Sequence, residues 1–440
     1  MSIAILALLA AVQTGSPDTV RLSLAQALDR ARVANPTLQA ERAEARAASA
    51  LPLDASRAFL PSVRVEITGV RTTDPVAVFG LKLRQAAFQS QDLALDALNA
   101  PAAYTGYSAA TTVEQPILAP EGWFGYAAAR RAAAARTAGA GRAAGATTFL
   151  VTRAYWDAQL AAARLAALDT ALAAARAHAQ QAERMQAQGL VTGLDARLAR
   201  IRAAAVEVQQ LAASADAENA RAALAAMLAL PDSEAVTLTD SLATSEPVEA
   251  PACPGSGCSV ADRGDVRAGR LGAAAAGLGV KVAWAAQLPE IAAFGTLAQH
   301  STSAAFGGGS GDWTIGVGVR WSILRGLAGP GDVRRAVAER DAAAARAEAT
   351  ERQARVEGSA AERKLAAARA SVVVAQRAAA EAAEALDQAR LRYRTGAAPI
   401  TELLDVQAAA TNATLDLLAA RRDALVAGAA LNFAYGVNDQ

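Results

Sequence analysis

"DWTIGVGVRWSIL", residues 312–324, alternates strictly along its length. Trp313, Ile315, Val317, Val319, Trp321 and Ile323 fall on one side of an extended chain, and Thr314, Gly316, Gly318, Arg320 and Ser322 on the other. A period of two predicts a strand. A tilted strand needs roughly ten residues to cross a bilayer, and this stretch has them. Trp313 and Trp321 lie on the apolar side near its ends, where a transmembrane barrel carries its aromatic girdles. The alternative is a soluble sheet with one buried face, which gives the two tryptophans no such reason to sit at the ends.

Three further stretches fit the same reading. "PSVRVEITGV" (61–70) sets Val63, Val65 and Ile67 against Arg64, Glu66 and Thr68. "SAATTVEQPIL" (108–118) and "PEIAAFGTLAQH" (289–300) alternate more weakly. Trp123, Phe124 and Tyr126 cluster just after the second strand, which adds Trp123 to the candidate girdle. With the apolar side in lipid, Arg64, Glu66 and Arg320 line the lumen. Four strands cannot close a barrel, and lipid tolerates no open sheet edge. Several copies must therefore share one barrel, and three copies give twelve strands.

The chain is internally duplicated. Pro36 and Gly264 open helical runs, Leu60–Pro61 and Leu288–Pro289 end them, and both pairs share one spacing. Shorter and nearly equal spacings relate Leu118 to Leu324 and the helix breaks at Gly189 and Gly396. The difference places an insert within residues 73–108 of the first half. Its core, "DPVAVFGLKLRQAAFQSQDLALDALNAP" (74–101), reads as an outward-facing loop between the first two strands. Phe79 and Phe88 either pack across the barrel mouth or belong to a surface flap with no gating role.

Long alanine-rich helical runs are predicted from Pro120 to about Gln188 and from about Gly331 to Arg394. Each spans on the order of 100 Å at about 1.5 Å per residue. After each glycine break the returning helix is half as long, about 195–230 and 401–435. The runs before the strands then stack end to end on these returning helices. Gly396 suits a helix C-terminus and Pro399 a restart. Thr192 or Thr401 is placed to cap, and Asp195 or Glu402 to complement the N-terminal dipole, which is also the purely structural reading of those acids. Gly139, Gly141, Gly145 and Gly358 weaken the long helices as isolated objects, so neighbours must support them.

Composition excludes other classes. Charged residues make up 19% of the 440 and balance to +1, without the basic excess a nucleic-acid binder carries. Aromatic residues are 4%, so closely packed Ala-rich helices replace a core of large side chains. Two separate histidines, with no nucleophile motif, phosphate loop or ligand cluster, argue against an enzyme, a metal site or a cofactor. Ile3–Val12 has the length of a signal-peptide core, although no Lys or Arg precedes it. In "CPGSGC", Cys253 and Cys258 make a local disulfide feasible in an oxidising compartment, with free thiols as the alternative.

Paired helical rods, two strand hairpins, an internal duplication and a YxxG break followed by LLDxQ together resemble the TolC family of outer-membrane efflux and secretion channels. The resemblance runs from "LSLAQALDRARVANPTL" (22–38) to "ALNFAYGV" (430–437). It implies a mainly α fold with a small transmembrane β part: a long helical barrel plus four strands per chain in a twelve-stranded trimeric barrel. It also implies a passive exit duct of a tripartite pump or type I secretion system, with a periplasmic adaptor and an inner-membrane transporter as partners. A periplasmic adaptor-like hairpin protein is the rival reading. Position by position, Asp405 rings the closed aperture and Tyr393 ties to Asp195. Ala398 stands where some members carry a locking Arg. Gly189, Gly396, Thr192, Pro399 and Leu404 mark the hairpin tips and adaptor contact. The implied division is a signal peptide (1–15), N-terminal helices (16–60), a strand hairpin with its loop (61–118) and a helical hairpin (119–230). An equatorial linker (231–262), a helix (263–287), a second strand hairpin (288–324) and a second helical hairpin with the C-terminus (325–440) complete it.

Overall fold

Strand β1 (Thr19–Leu22) opens the fold and leads into helices α1 (Leu24–Ala34), α2 (Pro36–Ser49) and α3 (Leu51–Ser56). Strand β2 (Ser62–Thr72) follows, then α4 (Pro75–Arg84), α5 (Leu95–Asn99) and β3 (Tyr104–Leu118). Helix α6 (Pro120–Ala187) has 68 residues and α7 (Gly193–Met227) has 35. After β4 (Ala235–Leu238) the second repeat runs through α8 (Gly264–Ala285), β5 (Glu290–Ser301) and β6 (Ser310–Arg320). It ends with α9 (Ala328–Arg394, 67 residues) and α10 (Ile400–Ala434, 35 residues), so the two repeats match closely in helix length. This computed structural model describes residues 19–231, 235–245, 259–307, 309–323 and 328–439. Among the described residues no helix is long and apolar enough to cross a membrane. The chain divides into two units, one of Ala45–Arg136 with Ala268–Glu348, the other of Met1–Glu44, Thr137–Arg267 and Ala349–Gln440.

The first unit holds an antiparallel sheet in the order β2-β3-β5-β6. Its register puts most of the large apolar residues of the strands on one face, with Val70 and Phe294 as exceptions on the other. Val63 is opposite Val113, Val65 opposite Thr111, Leu297 opposite Trp313, and Ala293 opposite Val317. The other face collects Arg64, Glu66, Thr112, Glu114, Glu290, Thr296, Asp312 and Arg320. It is knitted across the strands by Thr112–Thr296 at 3.0 Å, His300–Asp312 at 2.9 Å and Arg320–Glu290 at 3.5 Å. Val63, Val65, Trp313, Ile315, Val317 and Val319 are all exposed in the single chain. Among the described residues nothing pairs with the outer edges of β2 and β6. Such an apolar face with open edges is costly in water.

The insert between β2 and β3 is more ordered than the loop expected from sequence. Asp74 accepts from Ala77 N at 2.7 Å to cap α4, and the segment also carries α5. Phe79 and Phe88 meet edge to face at 4.9 Å.

In the second unit, β1 and β4 form a parallel two-stranded sheet that the sequence reading placed among helices and irregular linker. The Tyr155 hydroxyl fixes it, donating to Leu22 O at 3.0 Å and accepting from Asp240 N at 3.2 Å. Around it Trp156, Leu224, Leu228 and Val236 form one core cluster. The end-to-end stacking has a matching joint in each repeat. Asn35 Nδ2 donates to Met227 O at 2.9 Å, and Arg263 Nη1 donates to Ala434 O at 3.1 Å. In both, a side chain at the start of one helix satisfies a carbonyl at the end of another.

The second joint is also a charge cluster. Arg263, 3% exposed, meets Asp265 at 2.7 Å and Glu357 at 2.9 Å. Arg142 lies over the Phe433 ring at 3.5 Å, donates to Phe433 O at 2.6 Å and pairs with Asp439 at 3.4 Å. Asp439 also accepts from Gly264 N at 2.9 Å. Burial favours the neutral form of Asp265, but the Arg263 hydrogen bond and the charges of Arg142 and Arg263 outweigh it and hold its pKa below the usual value. Three of the glycines in the long helices, Gly141, Gly145 and Gly358, now have a reason. A Cβ on Gly141 or Gly145 would strike Asp439, and one on Gly358 would press the Tyr435 ring. They admit the C-terminal segment as well as lowering helix propensity.

Candidate gating site at the helix hairpins

Both long helices end in the same way. Gly189 and Gly396 adopt φ of +71° and +74°, which L-residues rarely take. Leu190 N then reaches Met185 O at 2.9 Å with Gly189 N to Gln186 O at 2.9 Å, and Ala397 N reaches Arg392 O at 2.8 Å with Gly396 N to Tyr393 O at 3.1 Å, the paired bonds of a Schellman stop at each end. The restarts differ. Thr192 caps α7 in a capping box with Asp195, whose carboxylate accepts from Thr192 N at 2.9 Å and Thr192 Oγ1 at 2.7 Å. At α10 the cap position is Pro399, with no side-chain bond, and Thr401 does not cap.

Inside the hairpins Ala175, Ala179, Ala182, Ala196 and Ala199 pack with Leu386, Tyr393, Ile400 and Leu403. Small side chains let the helix backbones approach, which is what the alanine-rich composition provides. Leu404 is 8% exposed and belongs to this cluster. Its expected place at a partner-contacting surface is therefore corrected: positions 400, 403 and 404 share the inward face of α10. Exposed apolar groups at the tips are instead Leu190, Leu194 and Leu391.

The expected Tyr393–Asp195 tie is not made. Asp195 is engaged by its own capping box, and the buried Tyr393 hydroxyl has no hydrogen-bond partner. Burial first, and the nearby Asp195 charge second, raise the Tyr393 pKa and keep it protonated. The cross-helix ties of the second hairpin are Arg392–Glu402 at 2.7 Å and Arg390–Gln407 at 3.2 Å. Sequence reasoning missed both, although opposite charges flanking a turn were visible there. Asp405 is exposed, next to buried Leu404 on the same helix.

Deeper in the bundle a cavity of about 160 Å³ is lined by His178, Arg202, Gln209, Gln407 and Thr411. His178 Nε2 faces no partner, and burial, with the Arg390 charge, lowers its pKa, so the ring is neutral at neutral pH. Among the described residues no group of acidic, His or Cys side chains is arranged to hold a metal.

In the sheet, Arg64, Glu66 and Arg320 share the polar face. Trp313 lies on the apolar face at one end of β6. Trp321 follows the other end, its indole donating to Gln287 O at 3.0 Å. Trp123 sits in the first turn of α6, on a helix and not a strand. Trp284 near the end of α8 is also exposed and was not singled out from sequence. Cys253, Cys258 and the candidate signal segment 1–15 lie outside the described residues.

Residues 259–437 match the family model described as outer membrane efflux protein. No curated protein matches the sequence. In fold, the chain is similar to the CmeC outer membrane channel of Campylobacter jejuni, with TM-score 0.81 and 17% identity over 94% of this chain and 85% of that one. It is similar to the outer membrane protein VceC of Vibrio cholerae, with TM-score 0.76 and 20% identity over 94% and 96%. It is also similar to the open state of the MtrE outer membrane channel of Neisseria gonorrhoeae, with TM-score 0.77 and 19% identity over 94% and 88%. The family model thus covers the second repeat, and over nearly the whole chain the fold is similar to that of solved outer-membrane channels.

Proposed function

We propose that three copies of this chain close a twelve-stranded barrel in outer-membrane lipid. Their helices make a periplasmic tunnel that serves as the passive exit duct of a tripartite pump or type I secretion system. The observation that carries this reading is the sheet: Val63, Val65, Ile67, Leu297, Trp313, Ile315, Val317 and Val319 share one face, and among the described residues neither edge has a partner. Closure by sister chains supplies the missing hydrogen bonds, and lipid covers the apolar face. Arg64, Glu66 and Arg320 then line the conduit, and Trp313, Trp321 and Trp123 sit at the interfaces.

A periplasmic adaptor, with an inner-membrane transporter behind it, engages the tips at Gly189, Thr192, Gly396 and Pro399. Energy comes from the transporter, since the duct has no chemistry of its own. The rival adaptor-like reading does not explain paired strands with an apolar outward face. Asp405 is the aperture residue. Three such carboxylates around one axis repel one another and attract cations. The closed state relies on Arg392–Glu402 in place of the Arg absent at Ala398.

Asp405→Ala trimers in planar bilayers are expected to lose cation block and to conduct roughly twofold more at rest. Unchanged conductance and unchanged block would remove Asp405 from the aperture.

A further inference from the structure

The polar face of the sheet is not bare at its far end. Tyr104 and Gly106 belong to that face, in line with Ser108, Thr112 and Glu114 on β3. A Cβ built on Gly106 would meet Leu81 Cδ2 at 2.7 Å and Gln85 Nε2 at 2.9 Å. Helix α4 of the insert therefore lies against the polar face, not the apolar one. Gln85 is 8% exposed and bonded at both ends of its amide. Its Nε2 donates to Ser301 O at 2.9 Å, and its Oε1 accepts from Tyr104 OH at 2.8 Å. Lys82 pairs with Asp92 at 2.6 Å and lies 5.4 Å over the Tyr104 ring. Val78 is buried, and Phe79 and Phe88 pack on each other. The segment is a folded flap with its own small core, pinned to the ends of β3 and β5.

We propose that this flap is a size-limiting constriction at the outer mouth of the duct. Gln85 is its latch, and Gly106 is the gap that lets it approach. The inference rests on the reading that the polar face lines the conduit. With lipid on the apolar face, the flap projects into the lumen, and three flaps narrow one opening. The filter is steric: large solutes and polymers are held back from outside, while small ones pass. A Cβ at Gly106 would crowd Leu81 Cδ2 and Gln85 Nε2, so the side chains that hold the flap would have to shift.

The test is a Glu66→Cys reporter on the polar face, in full-length protein carrying Cys253→Ser and Cys258→Ser. Intact cells are treated from outside with a small maleimide or with the same maleimide on a bulky polymer. With the flap in place, the small reagent labels and the bulky one is slow. Replacing residues 75–101 by a short Gly-Ser turn is expected to speed bulky labelling at least about tenfold without changing small-reagent labelling. Gln85→Ala and Gly106→Val, which leave the chain length intact, are expected to act in the same direction and decide the matter if the deletion fails to assemble. Bulky labelling at the wild-type rate in all assembled variants would overturn the constriction. Failure of the small reagent to label the reporter at all would instead strike the lumenal assignment of the polar face, and the proposal with it.

Discussion

Asp439→Ala is expected to loosen the helical unit by about 3 kcal/mol, the scale of removing one partner from a buried ion pair. The Asp439 side chain is 2% exposed, and its carboxylate satisfies both Arg142 and the Gly264 N–H at the start of α8. Removing it leaves Arg142 with the Phe433 carbonyl and ring and a longer contact to Asp265 at 3.6 Å. The readout is amide exchange near Gly141–Gly145 and Gly264, which should quicken by about a hundredfold as local opening becomes cheaper. Asp439→Asn keeps an acceptor for Gly264 and should lose less. Gly145→Val leaves every charge in place but fills the space that the carboxylate occupies, so it should reproduce most of the loss. Exchange that stays at the wild-type rate in Asp439→Ala and Gly145→Val would show that the C-terminal segment does not lock the joint.

Val317→Arg and Gly318→Arg should differ sharply although they are neighbours. Val317 lies on the apolar face, midway between Trp313 and Trp321, and pairs with Ala293. An arginine there faces the middle of the lipid and costs about 2–4 kcal/mol in each chain. Trimers multiply the penalty threefold, so assembled outer-membrane protein should nearly vanish. Gly318 points to the polar face, and a Cβ on it meets nothing within 4 Å. Its arginine sits in the conduit and should leave assembly intact while shifting ion selectivity. The comparison is made on heat-modifiable trimers extracted from outer membranes. Equal tolerance of the two substitutions, or the reverse order, would mean that the faces are assigned to the wrong solvents.

The strands and their faces were legible because alternation over ten residues leaves one geometric solution, and "DWTIGVGVRWSIL" states it almost without error. The hairpins were legible because a glycine after a long helix is a physical stop, and both glycines adopt the left-handed conformation. Other parts lay beyond local pattern. Strands β1 and β4 have four residues each and pair from distant parts of the chain, too little sequence for periodicity to register. The ion cluster joins Arg142, Arg263, Glu357 and Asp439 from separate segments, and no spacing along the chain connects them. Leu404 is a different case. Ile400, Leu403 and Leu404 show the spacing of a buried helix face, which speaks for the interior more strongly than position near a tip speaks for the surface. The Tyr393–Asp195 tie failed for a local reason: Thr192 competes for the carboxylate from three residues away and wins it.

The central claim is that this sheet is one third of a closed barrel in lipid. Native mass measurement of the full-length protein, extracted from outer membranes in mild detergent, tests it most directly. Three chains in one complex, stable only in detergent, is the predicted result. A single chain that stays in solution without detergent would contradict it.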